Sequence, residues 1–182
     1  LVPKADVHQK FSLAGQWQFK PGDQLAWATP EFDDSGWQSQ PVPGRWRREG
    51  YPETNQFAWY RLTLKLQNFD RESWANGQQL GVRIGKVMNA YELYAGGKLL
   101  GGVGQLPPLA EIDYDRLKVY LLPLSAVAED GTLVLAMRVW GGEKYTLNNW
   151  GAGPYDGDFA IGSYSTMLLS GLGNQVPGLI FC

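Results

Sequence analysis

Alternation of apolar and polar residues is the dominant pattern along this chain. Between residues 60 and 66 every second residue is apolar, and Arg61, Thr63 and Lys65 stand between them. A period of two is typical of a strand that buries one face and turns the other to solvent. Similar runs occupy residues 80–85, 91–95, 118–122 and 133–139. With an aromatic run around Trp17, the pattern predicts about eight short strands separated by turns.

Glycine, proline and aspartate separate these runs. Gly96 and Gly97 stand between two of them and predict a two-residue hairpin, since glycine adopts positive φ without steric cost. The phrase Asp33–Gly36 predicts a turn that is stabilised by hydrogen bonds to side-chain acceptors. Residues 141–158 show no period and predict a long loop, whose aromatic content argues against disorder. A strand-like pattern returns over residues 159–169.

Composition agrees with an all-β chain of one domain. Aromatic residues make up 13% of the 182 residues, and 23 Gly and 11 Pro indicate many turns and few long helices. We expect residues 1–11 to form an N-terminal arm that pairs at a sheet edge, residues 12–169 to form a jelly-roll β-sandwich, and residues 170–182 to form an exit segment.

Six phrases carry a family resemblance: Leu13–Phe19, Phe32–Trp37, Val42–Trp46, Ala58–Arg61, Ala90–Gly101 and Leu133–Trp140. In order and spacing they resemble the N-terminal jelly roll of family 2 glycoside hydrolases, the galactose-binding domain-like sandwich of β-galactosidases and β-glucuronidases. The resemblance covers residues 12–140, with Gly96 where the family usually has Asn. In those enzymes the catalytic carboxylates lie in a separate barrel, and nothing here is similar to it. The resemblance therefore implies a sugar-binding-type module without the catalytic chemistry.

The inventory of reactive side chains argues against catalysis. His8 is the only histidine and Cys182 the only cysteine, so a Ser–His–Asp triad, a thiolate metal site and a disulfide framework lack their residues. Paired carboxylates need only two acids at a suitable distance, so Glu92, Asp113 and Asp115 stay candidates. Their plainer interpretation is a solvent-facing strand residue and two loop residues.

A calcium site at Asp33 and Asp34 is a second possibility, since carboxylates and turn carbonyls are ligands that this ion selects. Turn capping is the preferred interpretation, because no second acidic loop matches them. We therefore predict a chain that is not an enzyme by itself and that has no cofactor or metal.

Two aromatic clusters carry the binding hypothesis. A pyranose ring stacks its apolar face on an aromatic ring and offers its hydroxyls to amide, carboxylate and guanidinium groups. Trp150 beside Asn148, Asn149 and Tyr145 offers that combination, and Trp46 between Arg45 and Arg47 offers another. We expect these seven residues to bind a carbohydrate or small polar ligand. In the alternative interpretation, the loop with the first cluster folds back and fills the end of the sandwich, and the arginines of the second cluster merely cover Trp46. We expect Trp17, Trp37 and Trp59 in the core.

The biological context is predicted from charge and from the two ends of the chain. A net charge of −2 gives no broad attraction to nucleic acid. The start at Leu1 and the apolar run Val176–Cys182 lead us to expect an extracytoplasmic (periplasmic) sensor domain of a larger membrane signalling protein, tethered through a following segment. The alternatives are the N-terminal domain of a family 2-like hydrolase whose barrel is absent, and a purely structural module.

Overall fold

The structure, a computed structural model, describes residues 2–46, 50, 56–113, 115–142 and 152–172. The strands are β1 (Lys4–Asp6), β2 (Phe11–Ser12), β3 (Gly15–Pro21), β4 (Gln38–Val42), β5 (Phe57–Gln67), β6 (Leu80–Ile84), β7 (Lys86–Met88), β8 (Ala90–Ala95), β9 (Lys98–Val103), β10 (Lys118–Leu121), β11 (Thr132–Trp140), β12 (Gly153–Asp156) and β13 (Ala160–Ser163). The helices are α1 (Arg71–Ala75) and α2 (Tyr164–Leu172), with single 3-10 turns at Leu25–Ala28 and Leu124–Ala126.

Two sheets enclose the core. The large sheet has the order β4-β3-β5-β11-β8-β9, with β1 also paired to β5, and the small sheet has the order β10-β6-β13-β2. Leu64, Leu93 and Leu133 from the large sheet join Val82 and Ile84 from the small sheet in one buried apolar cluster. Strands β7 and β12 form a third, two-stranded sheet. The prediction of an all-β jelly-roll sandwich of the galactose-binding domain-like type is confirmed.

The N-terminal arm becomes part of the large sheet. Strand β3 pairs with residues 58–61 of β5, and β1 pairs in parallel with residues 65–67 of the same strand. Ala5 of the arm is buried in the core. The arm therefore supplies backbone partners to the part of β5 that lies beyond β3, an interior strand of the large sheet.

One face predicted to meet solvent is buried. Arg61 was expected to point outward from β5, but its side chain is only 1% exposed. The chain between β3 and β4 folds over the outer face of the large sheet and forms a second aromatic cluster there: Trp27, Phe32, Trp37, Trp59 and Tyr94. The alternation identified the strand correctly, but could not show that a loop covers its polar face. Trp17 and Trp59 are buried as predicted, and Trp37 is half-buried in the second cluster.

The last described segment corrects the predicted strand over residues 159–169. Strand β13 ends at Ser163, and α2 begins at Tyr164. The helix packs on the outer face of the small sheet, where a Cβ on Gly81 would lie 2.8 Å from Cδ2 of Tyr164. This contact also explains why every residue of β6 is buried rather than every second one. The predicted long loop over residues 141–158 likewise contains a strand, β12.

Arg83 of β6 forms hydrogen bonds to the C-terminal half of α2. Its guanidinium donates to Oδ2 of Asp158 at 3.0 Å, to Oγ of Ser170 at 2.6 Å and to the Met167 carbonyl oxygen. Ser170 lies in the last turn of the helix, where a cation interacts favourably with the helix dipole. The direction in which α2 leaves the sandwich is therefore set by a side chain from the centre of the small sheet.

A hydrogen bond between two tyrosines crosses the core. The Tyr120 hydroxyl on the small sheet donates to the Tyr91 hydroxyl on the large sheet at 2.8 Å. Burial raises the pKa of Tyr120 to about 12 and that of Tyr91 well above its ordinary value. The folded chain therefore keeps protons that the unfolded chain releases near pH 10.0.

We expect the free energy of unfolding to keep this contribution below pH 10.0 and to lose it as the pH rises through about 12. Urea unfolding at a series of pH values on both sides of pH 10.0 measures the slope. The double replacement Tyr91→Phe and Tyr120→Phe removes both phenols without leaving an unpaired hydroxyl, so its stability should fall less steeply. An unchanged slope in that variant would contradict the assignment.

Candidate functional site

Two backbone hydrogen bonds bring together the ends of two chain segments. The Trp46 amide donates to the Ala152 carbonyl at 2.9 Å, and the Gly141 amide donates to the Gln56 carbonyl at 2.8 Å. The first bond joins the start of the segment between Trp46 and Gln56 to the end of the segment between Gly141 and Ala152. The second bond joins the other two ends of the same segments. We call these four residues the loop base. The two predicted binding clusters belong to the segments that the loop base joins.

Asn89 lies at the loop base, in the corner between β7 and β8. Its Nδ2 donates to the Gly141 carbonyl at 2.7 Å, and Met88 next to it is the strand partner of Gly153. Both ends of the chain between Gly141 and Gly153 thus meet the same corner. The side chain is 3% exposed. The sequence patterns did not select Asn89, because one asparagine beside a strand carries no signal of its own.

Trp46 is a core residue of this region. Its side chain is 1% exposed, and Nε1 donates to the Tyr60 hydroxyl at 2.8 Å. The ring also makes an edge contact with Phe19, with 6.2 Å between the ring centroids. This gives the indole a structural role beneath the loop base. Stacking of Trp46 against a ligand stays a prediction that the geometry of the described residues does not support.

Gly153 makes the close approach of Trp46 possible. A Cβ on Gly153 would lie 2.8 Å from Cδ1 of Trp46 and 3.0 Å from the Tyr60 hydroxyl oxygen, and its φ is +107°. Only glycine combines that backbone conformation with that much room for the neighbouring rings. In the sequence Gly153 stands three residues after Trp150, and Gly153 itself packs against the buried ring of Trp46.

Arg45 lies beside the loop base. Its guanidinium carbon is 5.5 Å from the centroid of the Tyr155 ring, a distance at which a cation is attracted to the face of an aromatic ring. Both side chains are half-buried. Of the seven predicted site residues, only Arg45 and Trp46 lie in the described part of the chain. The others lie outside the described residues: Arg47, Tyr145, Asn148, Asn149 and Trp150.

The candidate carboxylates are held by cations or hydroxyls. Glu92 accepts from Tyr94 at 2.7 Å and from Arg138 at 3.1 Å. Two further ion pairs have nitrogen–oxygen distances of 2.7 Å: Asp113 with Arg116 and Asp115 with Lys86. Within the described ranges, no three His, Cys, Asp or Glu side chains stand close enough together to hold a metal ion.

The turn at Asp33 is built as predicted. The Ser35 amide donates to Oδ1 of Asp33 at 2.9 Å, and the Trp37 amide donates to the Asp34 carbonyl at 2.9 Å. These backbone and side-chain hydrogen bonds from Ser35 lower the pKa of Asp33. The neighbouring Asp34 carboxylate pairs with Arg61 at 2.7 Å. The Asp33 side chain therefore caps the turn, and the Asp34 side chain instead forms an ion pair with a strand residue.

Comparison with known structures agrees with this architecture. The β-glucuronidase 2 of Bacteroides uniformis, solved with a covalently bound cyclophellitol-6-carboxylate aziridine, superposes with a TM-score of 0.63 at 22% identity over 84% of this chain. A β-glycosidase from Bacteroides vulgatus gives 0.61 at 19% identity over 84% of the chain. A β-glucuronidase from glycoside hydrolase family 2 gives 0.64 at 13% identity over 88%. The chain has the fold of one domain-sized part of these enzymes.

The similarity is limited to that part and to the fold. The chain spans 17%, 20% and 18% of the lengths of these three proteins. No protein-family model matches the sequence, and no curated protein matches it. The resemblance seen in the sequence phrases is thus confirmed for the fold. Among the described residues, no helix has the length and apolar character needed to cross a membrane.

Proposed function

We propose that this chain is a non-catalytic binding module for a carbohydrate or another small polar ligand, which binds at the loop base. One observation carries the proposal. The loop base joins the segment that contains Arg47 to the segment that contains Asn148, Asn149 and Trp150, although the two are about a hundred residues apart in sequence. Loops that a rigid sandwich brings together are a common position for binding residues.

The chemistry of these residues supports a sugar as the ligand. An indole ring offers an apolar face for a pyranose, and amide groups both donate to and accept from hydroxyls. Arg45, next to the loop base, adds a guanidinium that can donate to hydroxyl or carboxylate oxygens. The β-glucuronidases that share the fold act on sugars that carry a carboxylate, by their names. We therefore place D-glucuronate among the first ligands to be tested.

A thermal-shift panel of the intact chain tests the proposal. The probes are methyl β-D-galactoside, methyl β-D-glucoside, D-glucuronate and short oligosaccharides. A ligand present at ten times its Kd adds about 1.4 kcal/mol to the free energy of unfolding, which raises Tm by about 3–6 °C for a chain of this size. We expect at least one probe to do so for the wild-type chain.

Two tryptophan variants locate the site within that panel. Trp150→Ala removes the ring predicted to stack on the sugar and should abolish the shift, because stacking supplies much of the apolar contact. Trp37→Ala is the matched control, since that ring packs against Trp27 and Phe32 in the second aromatic cluster. A flat panel for the wild-type chain, or an equal loss in both variants, would contradict the proposal and favour a purely structural module.

For the biological context, we propose an extracytoplasmic, periplasmic sensor domain that a following segment tethers to the membrane. Residues 159–182 contain no Asp, Glu, Lys, Arg or His, which is a composition compatible with an approach to a membrane. The second candidate is the N-terminal domain of a family 2-like hydrolase, and this chain shares its fold with part of such enzymes. The complete reading frame discriminates between them: an apolar span supports the sensor, and alternating strands and helices support the hydrolase.

A further inference from the structure

The side-chain oxygen of Asn89 is buried without a hydrogen-bond donor. Nδ2 of this residue donates to the Gly141 carbonyl at 2.7 Å, whereas Oδ1 finds no donor among the described residues. The bond to Gly141 fixes which side-chain atom is nitrogen, because the opposite orientation would place two acceptors face to face. The atom without a partner is therefore an acceptor.

Both main-chain polar groups of Asn89, by contrast, have a hydrogen-bond partner. Its amide donates to the Trp140 carbonyl, and its carbonyl accepts from the Asp113 amide, both at 3.3 Å. Buried polar atoms nearly always have a partner, and one without a partner costs about 1–3 kcal/mol. Three of the four polar groups of Asn89 therefore have a partner: the amide, the carbonyl and Nδ2. Only Oδ1 needs an explanation.

The position of the oxygen points to a ligand. Oδ1 and Nδ2 are bonded to the same carbon, so Oδ1 lies close to the Gly141 carbonyl that Nδ2 binds. Gly141 belongs to the loop base, and Met88 beside Asn89 pairs with Gly153 at the other end of the same segment. The unsatisfied acceptor is thus held at the loop base by a side chain that is 97% buried, since 3% is exposed.

We propose that Oδ1 of Asn89 accepts a hydrogen bond from a hydroxyl group of the bound ligand. This inference rests on the binding function proposed above and adds a residue to that site. A neutral amide oxygen suits an uncharged O–H donor, as in a sugar, and a buried acceptor discriminates strongly against an analogue that lacks the hydroxyl. Asn89 is therefore a specificity residue, which selects a ligand with a hydroxyl directed at the loop base.

Two variants of the intact chain separate the acceptor from the bond to Gly141. Asn89→Asp keeps an oxygen at the position of Oδ1 and loses the Nδ2 donor, whereas Asn89→Ala loses both. Both variants lose the bond to Gly141, and Asn89→Asp also directs its second carboxyl oxygen at the Gly141 carbonyl, which can only disturb this variant further. Tighter binding by Asn89→Asp than by Asn89→Ala therefore reports the acceptor oxygen.

The measurement is the Kd by titration calorimetry, with the probe among methyl β-D-galactoside, methyl β-D-glucoside and D-glucuronate that gives the largest wild-type shift. We expect Asn89→Ala to weaken binding about 5-fold to 10-fold relative to Asn89→Asp, which is the effect of one hydrogen bond. Binding by Asn89→Ala as tight as that by the wild-type chain would overturn the inference while the binding function stands. Absence of binding to the wild-type chain would instead overturn the function and this inference together.

A structure of the wild-type chain with the same probe gives a second test that does not depend on the folding of a variant. We expect a ligand hydroxyl oxygen within hydrogen-bond distance of Oδ1 of Asn89, at about 2.6–3.0 Å. A bound probe whose hydroxyls all lie beyond that distance from Oδ1 would overturn the inference.

Discussion

Replacement of Arg61 by Met should cost about 3–5 kcal/mol of stability, because it leaves a carboxylate and several carbonyls without their partner under a covering loop. The guanidinium is 1% exposed and lies 2.7 Å from Oδ2 of Asp34. It also donates to the carbonyls of Thr29 at 3.1 Å and Phe32 at 3.3 Å, and to that of Trp27. Urea unfolding followed by tryptophan fluorescence measures the loss.

The matched control is Lys65→Met on the same strand. Lys65 makes an ion pair of the same 2.7 Å length with Asp130, but its side chain is 37% exposed and that of Asp130 is 64% exposed. Both charges stay in contact with water when the pair is broken, so we expect a much smaller loss than for Arg61→Met. Similar losses for the two variants would show that Arg61 does not hold the covering loop in the way the structure describes.

Arg61 also shows where inference from sequence succeeds and where it ends. The alternation over residues 60–66 predicts strand β5 correctly, because side-chain direction in a strand depends only on local geometry. Whether the outward face meets water depends on a loop that is distant in sequence. The Trp residues of that loop gave a signal, since more aromatic residues were present than one core needs. Arg61, the polar residue that this loop covers, gave no such signal in the sequence.

At the loop base, too, the sequence predicts the chemistry, whereas the arrangement depends on contacts between distant parts of the chain. The residue types at positions 45–47 and 145–150 indicated a binding function from their chemistry alone. That the two chain segments start and end together follows from hydrogen bonds between Trp46 and Ala152 and between Gln56 and Gly141, which are non-local. Asn89 could be recognised only after both its partner and its unpaired oxygen were visible. Periodicity also misassigned α2 as a continuation of β13, because an uncharged apolar segment is compatible with either structure.

Gly153→Ala should destabilise the chain by about 2–5 kcal/mol through two causes that add. A residue with a side chain resists a φ of +107°, and the new Cβ would lie 2.8 Å from Cδ1 of the buried Trp46 ring. Trp46 can move only at the expense of its hydrogen bond to Tyr60. The urea midpoint gives the stability, and near-ultraviolet circular dichroism reports the displaced indole.

Gly36→Ala is the control for the effect of adding one methyl group. A Cβ on Gly36 would meet no atom within 4 Å, and its φ is not in the positive range, so we expect stability equal to that of the wild-type chain or slightly higher. Since the Ala152 carbonyl next to Gly153 accepts from Trp46, the damage in Gly153→Ala should extend to the loop base and weaken ligand binding as well. If Gly153→Ala were as stable as Gly36→Ala, the close contact between Gly153 and the buried Trp46 ring would not hold as the structure describes it.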